Sequence, residues 1–391
     1  MSIACVSDLR AAAKRRLPKF VFDYLDGGAG SEAGVARNER AFDALTLKPR
    51  ALVNIESRDL ATSLFGRRWA APFGIAPIGL GNLICPRAEE AIARAAAAAD
   101  IPYTLSTAAN TKLERIAEIA PGHAWFQLYV SKRDEDVADI VDRAERAGYE
   151  VLLLTVDVPL AARRLRDIRN NFMVPFKITP RVAFDLLTHP RWSLETLSAG
   201  VPRFVNVEQY APMVNRQSIA AYLTSEIRGR FDWEDLKKLR ARWRGRLVVK
   251  GVMAAEDSVR ARDLGCDGVV VSNHGGRQLD SAPATIDVLP EIRAAVGRDF
   301  PLIIDSGVRS GEHIVKALAA GADFVLLGRA MMYAVAARGP AAAKELIELL
   351  IDEASRCLGQ IGYADLASLK SAFPSPVVVP GGPNRSAERI S

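Results

Sequence analysis

Cysteine and histidine are both scarce, with four of each in 391 residues. The cysteines (Cys5, Cys85, Cys266, Cys357) are scattered, with no CxxC pair and no metal-ligand spacing. That excludes a disulfide scaffold and gives no support to a structural metal site. They read as small buried hydrophobes or idle thiols in a reducing compartment. No apolar run approaches the roughly 18 residues that span a bilayer, and the alanine tract Ala95–Ala99 sits between Arg94 and Asp100 as helix interior. The opening MSIACVSDLRAAAKRRLPKF lacks the apolar stretch of a secretory signal. There is no GxGxxG after a strand, no GxxxxGK[ST] and no HExxH. Classical NAD binding, P-loop nucleotide hydrolysis and zinc hydrolysis therefore lose support.

What is present is an ordinary globular composition, 49% hydrophobic and 25% charged, which excludes disorder. The length suits two average domains or one large barrel of roughly 250 residues or more with insertions. The formal charge of +6 points to nucleic acid, to anionic lipid or only to an anionic substrate. Cations concentrate between Arg163 and Arg191, where Arg163, Arg164, Arg166, Arg169, Lys177, Arg181 and Arg191 face only Asp167 and Asp185.

Eight short β-rich runs recur: Phe73–Pro77, Tyr103–Thr107, Trp125–Tyr129, Val151–Val156, Leu247–Lys250, Gly268–Ser272, Pro301–Asp305 and Phe324–Gly328. Several are continuously apolar, as parallel strands covered on both faces should be. Helix-like segments separate most of them, among them Arg87–Ala99, Lys112–Ala120, Arg133–Ala147, Ala255–Leu264 and Gly311–Ala320. Strand-then-helix repeated eight times predicts an α/β (β/α)8 TIM barrel rather than an open doubly wound sheet. Glycine-bearing turns enter the strands, and polar residues end them, at the side where such barrels do chemistry. Residues 1–65 predict an N-terminal helical cap. One domain is expected over 1–375, interrupted after the fourth strand by an insert of about 159–246 that is too long for a plain loop. The Pro- and Gly-rich tail 376–391 is expected to be mobile.

The strand ends carry the candidate chemistry. Asp305-Ser-Gly-Val-Arg-Ser-Gly311 and Gly328-Arg329 follow the last two strands, where barrels commonly hold a phosphate on bared backbone N–H groups. Gly307 and Gly311 let the backbone approach, and Arg309 and Arg329 supply charge. Of the histidines, His123, His189 and His313 read as structural. His274 lies in Ser272-Asn-His-Gly-Gly-Arg-Gln-Leu-Asp280, where a neutral imidazole can act as a base. Arg277 beside it can grip an anionic substrate through two parallel bonds, and Asp157 can orient the imidazole. Lys250 ends the fifth strand, either as a Schiff-base amine, as a cation facing developing negative charge, or as a salt-bridge partner. Ser106, Gln127, Thr155 and Ser272 add neutral donors and acceptors suited to a flat polar heterocycle. A DNA-binding barrel is disfavoured by this ordered polar set.

These stretches, with Asp23-Tyr-Leu-Asp-Gly-Gly-Ala29, Ala76-Pro-Ile-Gly79, Leu105-Ser-Thr107, Trp125-Phe-Gln-Leu-Tyr129, Thr155-Val-Asp157, Val249-Lys-Gly251 and Leu327-Gly-Arg329, resemble the FMN-dependent L-2-hydroxy acid oxidising family over residues 5 to 365. The resemblance implies FMN across the barrel mouth, its ring against Ala76, Pro77, Ile78 and Gly79 and its polar edge on Ser106, Gln127 and Thr155. It makes Lys250 the cation facing the flavin, which removes the Schiff base. It assigns the phosphate to Asp305, Gly307, Arg309, Gly328 and Arg329, with Ser272 also on the cofactor. Tyr24, Arg164 and Arg277 are to bind the substrate carboxylate, Tyr129 to bond near the hydroxyl, and His274 with Asp157 to act as base. Whether the base takes the hydroxyl proton or the α-proton stays open. The family's usual motif after the fourth strand reads here Val158-Pro-Leu-Ala-Ala-Arg-Arg-Leu-Arg166, so Arg163 and Arg166 compete with Arg164.

Gly79 and the insert resemble the mandelate- and lactate-type dehydrogenases, which implies a quinone-type acceptor; an oxygen-using oxidase is the alternative. Phe172, Met173, Phe176, Phe184, Leu186, Leu187 and Trp192 interleave with the cations of the insert, a pattern that suits the interface of an anionic membrane without spanning it. A soluble lid is the other reading. The expectation is a cytoplasmic homotetramer, peripheral on the cytoplasmic face of the inner membrane, with no nucleic-acid partner.

Overall fold

A computed structural model of the chain describes residues 4–172, 178–200, 202–210, 231–372 and 377–378. Eight parallel strands close into a barrel. They are β1 (Phe73–Ile75), β2 (Tyr103–Ser106), β3 (Ala124–Leu128), β4 (Val151–Thr155), β5 (Arg246–Val252), β6 (Gly268–Val271), β7 (Leu302–Ile304) and β8 (Phe324–Leu327). β8 pairs with β1 in parallel and closes the ring. Each apolar run seen in the sequence is one of these strands. Every residue of β3 and β4 is buried, because one face meets the surrounding helices while the other fills the barrel. Trp125, Leu153, Val248, Val270, Ile303 and Phe324 form that filling, so the barrel is packed rather than hollow.

The helices Ala88–Ala98, Leu113–Ile119, Asp134–Arg146, Ala255–Asp263 and Gly311–Ala319 lie within one residue of their expected bounds. The expected N-terminal cap is present as helices Val6–Arg16, Lys19–Asp26 and Ala33–Ala44. A hairpin of Thr62–Leu64 and Arg67–Trp69 closes the bottom of the barrel, its Trp69 ring edge-on to Trp125 at 6.0 Å. At the other end β5 bulges between Lys250 and Val252. Gly251 sits there at φ 104°, and a Cβ on it would lie 2.5 Å from Cβ of Asp157. Glycine therefore lets the Lys250 strand end and the Asp157 loop pack together.

The described part of the insert is helical, as expected of an added element: Leu165–Arg169, Pro180–Thr188, Pro190–Ala199 and Trp233–Arg242. Thr179 caps the second of these, accepting from Val182 N–H, with proline in the first turn. The Pro180 and Pro190 helices form a hairpin joined by Ser193 Oγ–H donating to Leu186 O at 2.8 Å. Trp192 is only 1% exposed. Its indole N–H donates to Leu83 O at 3.1 Å, and its ring meets Phe20 edge-on at 6.0 Å. Trp192 is thus an anchor and not part of an interfacial face; the large ring fills a gap against the N-terminal cap. Phe172 is likewise drawn inward, stacked on Tyr24 at 4.7 Å, and Leu186 is half-buried. Met173 and Phe176 lie outside the described residues. At the tail, Val377–Val378 pair antiparallel with Thr46–Leu47; the remainder of the tail lies outside the described residues.

Candidate active site at the C-terminal mouth of the barrel

The C-terminal strand ends and the loops beyond them enclose a cavity of about 550 Å³, a size usual for small-molecule sites (roughly 300–1,000 Å³). Its walls include Ala76, Pro77, Ile78 and Gly79 after β1, Ser106 on β2, Gln127 on β3 and Thr155 on β4. Lys250, His274, Arg277, Asp305, Gly307 and Arg309 line it too, as do Gly328 and Arg329 from the end of β8. Tyr24, Tyr129 and Arg164 line it as well, whereas Asp157 of the expected set does not and reaches it through His274. Ser272 stands just behind this wall.

His274 Nδ1 lies 2.9 Å from Asp157 Oδ1. The carboxylate only accepts, so Nδ1 carries the proton and the lone pair belongs to Nε2. Tyr129 OH lies 3.4 Å from that Nε2. Burial pushes the His274 pKa below its ordinary value, against the opposing pull of Asp157, so the ring is held neutral near pH 7. Burial alone would raise Asp157, but the facing His274 and Lys250 hold its carboxyl below the usual range. The pair is a base with an ionised orienting group.

Lys250 Nζ stands 2.9 Å from Asp305 Oδ2 and donates to Ser272 Oγ at 2.8 Å. Burial would lower this amine, yet Asp305 and Asp157 raise it above its ordinary value. It stays an ammonium, which fits a charge-stabilising cation. Asp305 is thereby held under Lys250, with Ser306 Oγ–H donating to its other oxygen at 2.7 Å. As an acceptor it suits a cation or a hydroxyl of the ligand rather than an anionic phosphate. Ser272 Oγ also accepts from His274 N–H at 3.1 Å, so this hydroxyl positions both Lys250 and His274.

Arg277 Nη1 donates to Tyr24 O at 2.8 Å and Gly27 O at 2.7 Å, its guanidinium 5.2 Å from the Tyr24 ring centre. Burial, and then the neighbouring Arg164 and Arg329, push its pKa down to about 9, the mark of a cationic pocket that calls for an anion. The three competing arginines are placed differently. Arg163 is exposed, whereas Arg166 pairs with Asp26 at 3.0 Å, with Asp23 at 3.5 Å and with Glu32. Only Arg164 of the three lines the cavity, its Nε donating to Arg277 O at 3.4 Å.

At the far end, Arg329 is fixed by the carbonyls of Leu25, Gly27 and Gly275 at 3.2, 2.8 and 2.7 Å, and Arg309 pairs with Glu39 at 2.8 Å. Gly311 does not offer its backbone here. Its N–H donates to Glu353 Oε2 at 2.7 Å, and a Cβ would strike Ala354 N at 2.2 Å, so this glycine serves helix packing. His123 bonds to Asp100, and His313 stacks on Phe42; both are structural, as expected.

Gln127 Nε2, Thr155 Oγ1 and Gln278 Oε1, all from cavity-lining residues, are buried without a hydrogen-bond partner among the described residues. Buried polar groups are ordinarily satisfied, so these await a ligand. Several contributors escape sequence reasoning. Gln278 Nε2 donates to the carbonyls of Asp157 at 3.0 Å and Leu160 at 3.3 Å and so ties down the loop beyond β4; its place inside the His274 motif was the available signal. Asn38 and Asn273 bond reciprocally at 2.9 and 2.7 Å, fixing the residue before His274 to the N-terminal cap. Phe204, Val207 and Tyr210 of the insert also line the cavity, and nothing in their spacing announces it.

The family model for FMN-dependent dehydrogenases matches residues 13–375. The chain belongs to the FMN-dependent dehydrogenase family. The (S)-mandelate dehydrogenase of Pseudomonas putida is 43% identical to it over 369 residues, 94% of this chain and 93% of that protein. An L-lactate dehydrogenase of Caulobacter vibrioides is 40% identical over 378 residues, 95% and 98% of the two chains. Among solved structures, that of the monotopic membrane protein (S)-mandelate dehydrogenase matches with a TM-score of 0.91 at 41% identity, covering 97% of this chain and 100% of that one. Mandelate oxidase matches at 0.80 and 37% identity, covering 94% and 97%. As a member of this family the protein is a flavin-dependent oxidoreductase that uses FMN. The residues present fit such a cofactor: Gln127 and Thr155 carry unpaired groups that would suit a heterocycle edge, Lys250 carries a cation, and Arg309 and Arg329 flank glycine backbone that would suit a phosphate.

Proposed function

We propose that this FMN-dependent dehydrogenase oxidises an (S)-2-hydroxy acid of the mandelate or lactate class to the 2-oxo acid. The observation that carries the reading is the convergence, on one cavity wall, of a neutral base, a phenol and two guanidiniums. Arg277 and Arg164 take the substrate carboxylate, and burial strengthens that grip by excluding water. With the carboxylate so held, Tyr129 and His274 Nε2 meet the hydroxyl-bearing carbon. His274 accepts the proton at Nε2, and the Asp157 carboxylate stabilises the imidazolium formed. Bound FMN supplies the two-electron acceptor. Lys250, kept protonated by Asp305, offsets the negative charge that develops beside it.

A membrane quinone-type acceptor receives the electrons in this reading, with the protein a homotetramer held on an anionic membrane surface. The helical hairpin exposes Phe184 (67%), Leu187 (79%), Leu194 (67%) and Leu197 (79%), an apolar set typical of a protein that meets lipid without crossing it. No helix among the described residues is long and apolar enough to cross a membrane. A groove of about 940 Å³ beside the hairpin is lined by Lys14, Arg169 and Arg181 as well as by Asp23 and Asp26, which are paired with Lys19, Arg10 and Arg166; the remaining cations suit anionic headgroups. Trp192 anchors the hairpin to Leu83, next to the cavity-lining Ile84. The test is steady-state turnover of the FMN-loaded enzyme with (S)-mandelate or L-lactate and a soluble quinone analogue. Quinone reduction matched by 2-oxo acid, with little peroxide in air, is expected. Peroxide formed as fast as the 2-oxo acid overturns the acceptor assignment in favour of an oxidase.

A further inference from the structure

Outside the reacting groups, the most unusual buried side chain near the cavity is Glu89, 2% exposed in the first turn of helix Ala88–Ala98. Its carboxylate meets no cationic side chain among the described residues; backbone amides surround it instead. Gly81 N–H donates to Oε1 at 3.1 Å, and Thr111 N–H to Oε2 at 2.7 Å. Asn110 N–H lies 3.0 Å from both oxygens. Gly81 closes the loop whose Ile78, Gly79 and Leu80 line the cavity, and Asn110 and Thr111 close the loop whose Thr107 and Ala108 line it. The same two loops meet directly where Leu80 N–H donates to Ala108 O at 3.0 Å.

The contacts run on into the insert. Asn110 Nδ2 donates to Arg203 O at 2.9 Å. Asn206, fully buried, donates to Thr111 O and accepts from Leu113 N–H, each at 2.9 Å. The insert segment so held carries Phe204, Val207 and Tyr210 into the cavity wall. A buried carboxylate without a cation is costly: burial pushes the Glu89 pKa up to about 7 against the amide donors of Asn110, Thr111 and Gly81 that favour its charged form, and packing alone gives no reason to keep such a group. Its gain is rigid amide hydrogen bonds to two separate loops at once.

We propose that Glu89 is a positioning residue for flavin and substrate, its carboxylate fixing the loops after β1 and β2 and, through Asn110 and Thr111, seating residues 202–210 over the cavity. The inference rests on the hydroxy acid reading only for the choice of substrate. The experiment compares wild type, E89Q and N110A as FMN-loaded proteins and as apoproteins titrated with FMN. Glutamine keeps the size but turns an NH2 donor onto amide donors, so E89Q should weaken FMN binding by roughly tenfold or more. It should also alter the visible circular dichroism of the bound flavin and raise the KM for (S)-mandelate more than it lowers kcat. N110A keeps the Glu89 carboxylate and its backbone donors but loses the side-chain bonds to Arg203 O and from Asn82 N–H, and should raise KM with a smaller change in FMN affinity. A lower melting temperature with unchanged FMN affinity, flavin dichroism and KM would make Glu89 merely structural and overturn the proposal. Should E89Q fail to fold, an unchanged KM and flavin dichroism in N110A overturn it instead. If wild type itself does not turn over (S)-mandelate, the substrate reading fails, while FMN affinity and dichroism still decide on Glu89.

Discussion

His274 Nδ1 and Asp157 Oδ1 stand 2.9 Å apart across the barrel mouth, and that contact settles which ring nitrogen is free to take a proton. Replacing His274 by glutamine should leave FMN bound while flavin reduction by substrate slows by about 10²–10⁴-fold. Asp157→Asn should cost on the order of 10⁴-fold, because the amide favours the wrong tautomer and no longer stabilises the cation. Stopped-flow reduction of both variants checks this; a His274 variant at wild-type speed would remove the histidine from the chemistry.

The same pair dictates the acid side of the pH profile. Burial lowers the His274 pKa, and Asp157 partly restores it. The base is active when neutral, so kcat/KM should fall with decreasing pH only below the ordinary histidine pKa of about 6.5. In Asp157→Asn the restoring charge is gone, and the acid limb should move to still lower pH. A limb that moves upward in the variant would contradict the assignment.

Arg277 is a buried cation with neighbouring positive charge, held by carbonyls rather than by a carboxylate. Arg277→Met should remove about 2–5 kcal/mol of substrate binding, seen as at least a roughly 30-fold loss in kcat/KM carried mainly by KM. Arg164→Met should act in the same direction, whereas Arg163→Met should be nearly silent. Equal effects from Arg163 and Arg164 would refute the proposed role of Arg164.

Lys250 and Asp305 form a buried pair at 2.9 Å. Lys250→Met strands the Asp305 charge and should cost about 3–5 kcal/mol of stability, read as a lower melting temperature. Adding Asp305→Asn should recover much of that stability without recovering turnover. Full recovery of turnover in the double variant would show that the cation has no part in the reaction.

The exposed residues of the insert hairpin offer a separable test. The double change Phe184→Asp and Leu187→Asp should abolish sedimentation with anionic phospholipid vesicles while leaving anaerobic flavin reduction by substrate unchanged. Vesicle binding equal to wild type would rule out the hairpin as the membrane contact.

The barrel is legible in the sequence because parallel strands buried on both faces must be continuous apolar runs, and because polar residues gather at one end of each. His274, Lys250 and Arg277 announce themselves as polar residues at or just beyond such ends. Arg164 does not separate from Arg163 and Arg166 by type or spacing, since the carboxylates that claim Arg166 come from Asp23, Asp26 and Glu32, far away in the chain. Trp192 reads as an interfacial aromatic until the fold brings Phe20 of the cap and Leu83 beyond β1 against it. Glu89 looks like any acidic residue in a helix's first turn. Only the fold brings two loops to its carboxylate.

The most direct test of the account is anaerobic mixing of the FMN-loaded protein with (S)-mandelate and, separately, L-lactate, following flavin absorbance. The account predicts bleaching by a 2-hydroxy acid, faster with (S)-mandelate, and loss of that bleaching in the His274 variant. An FMN-loaded protein bleached by neither acid would contradict it.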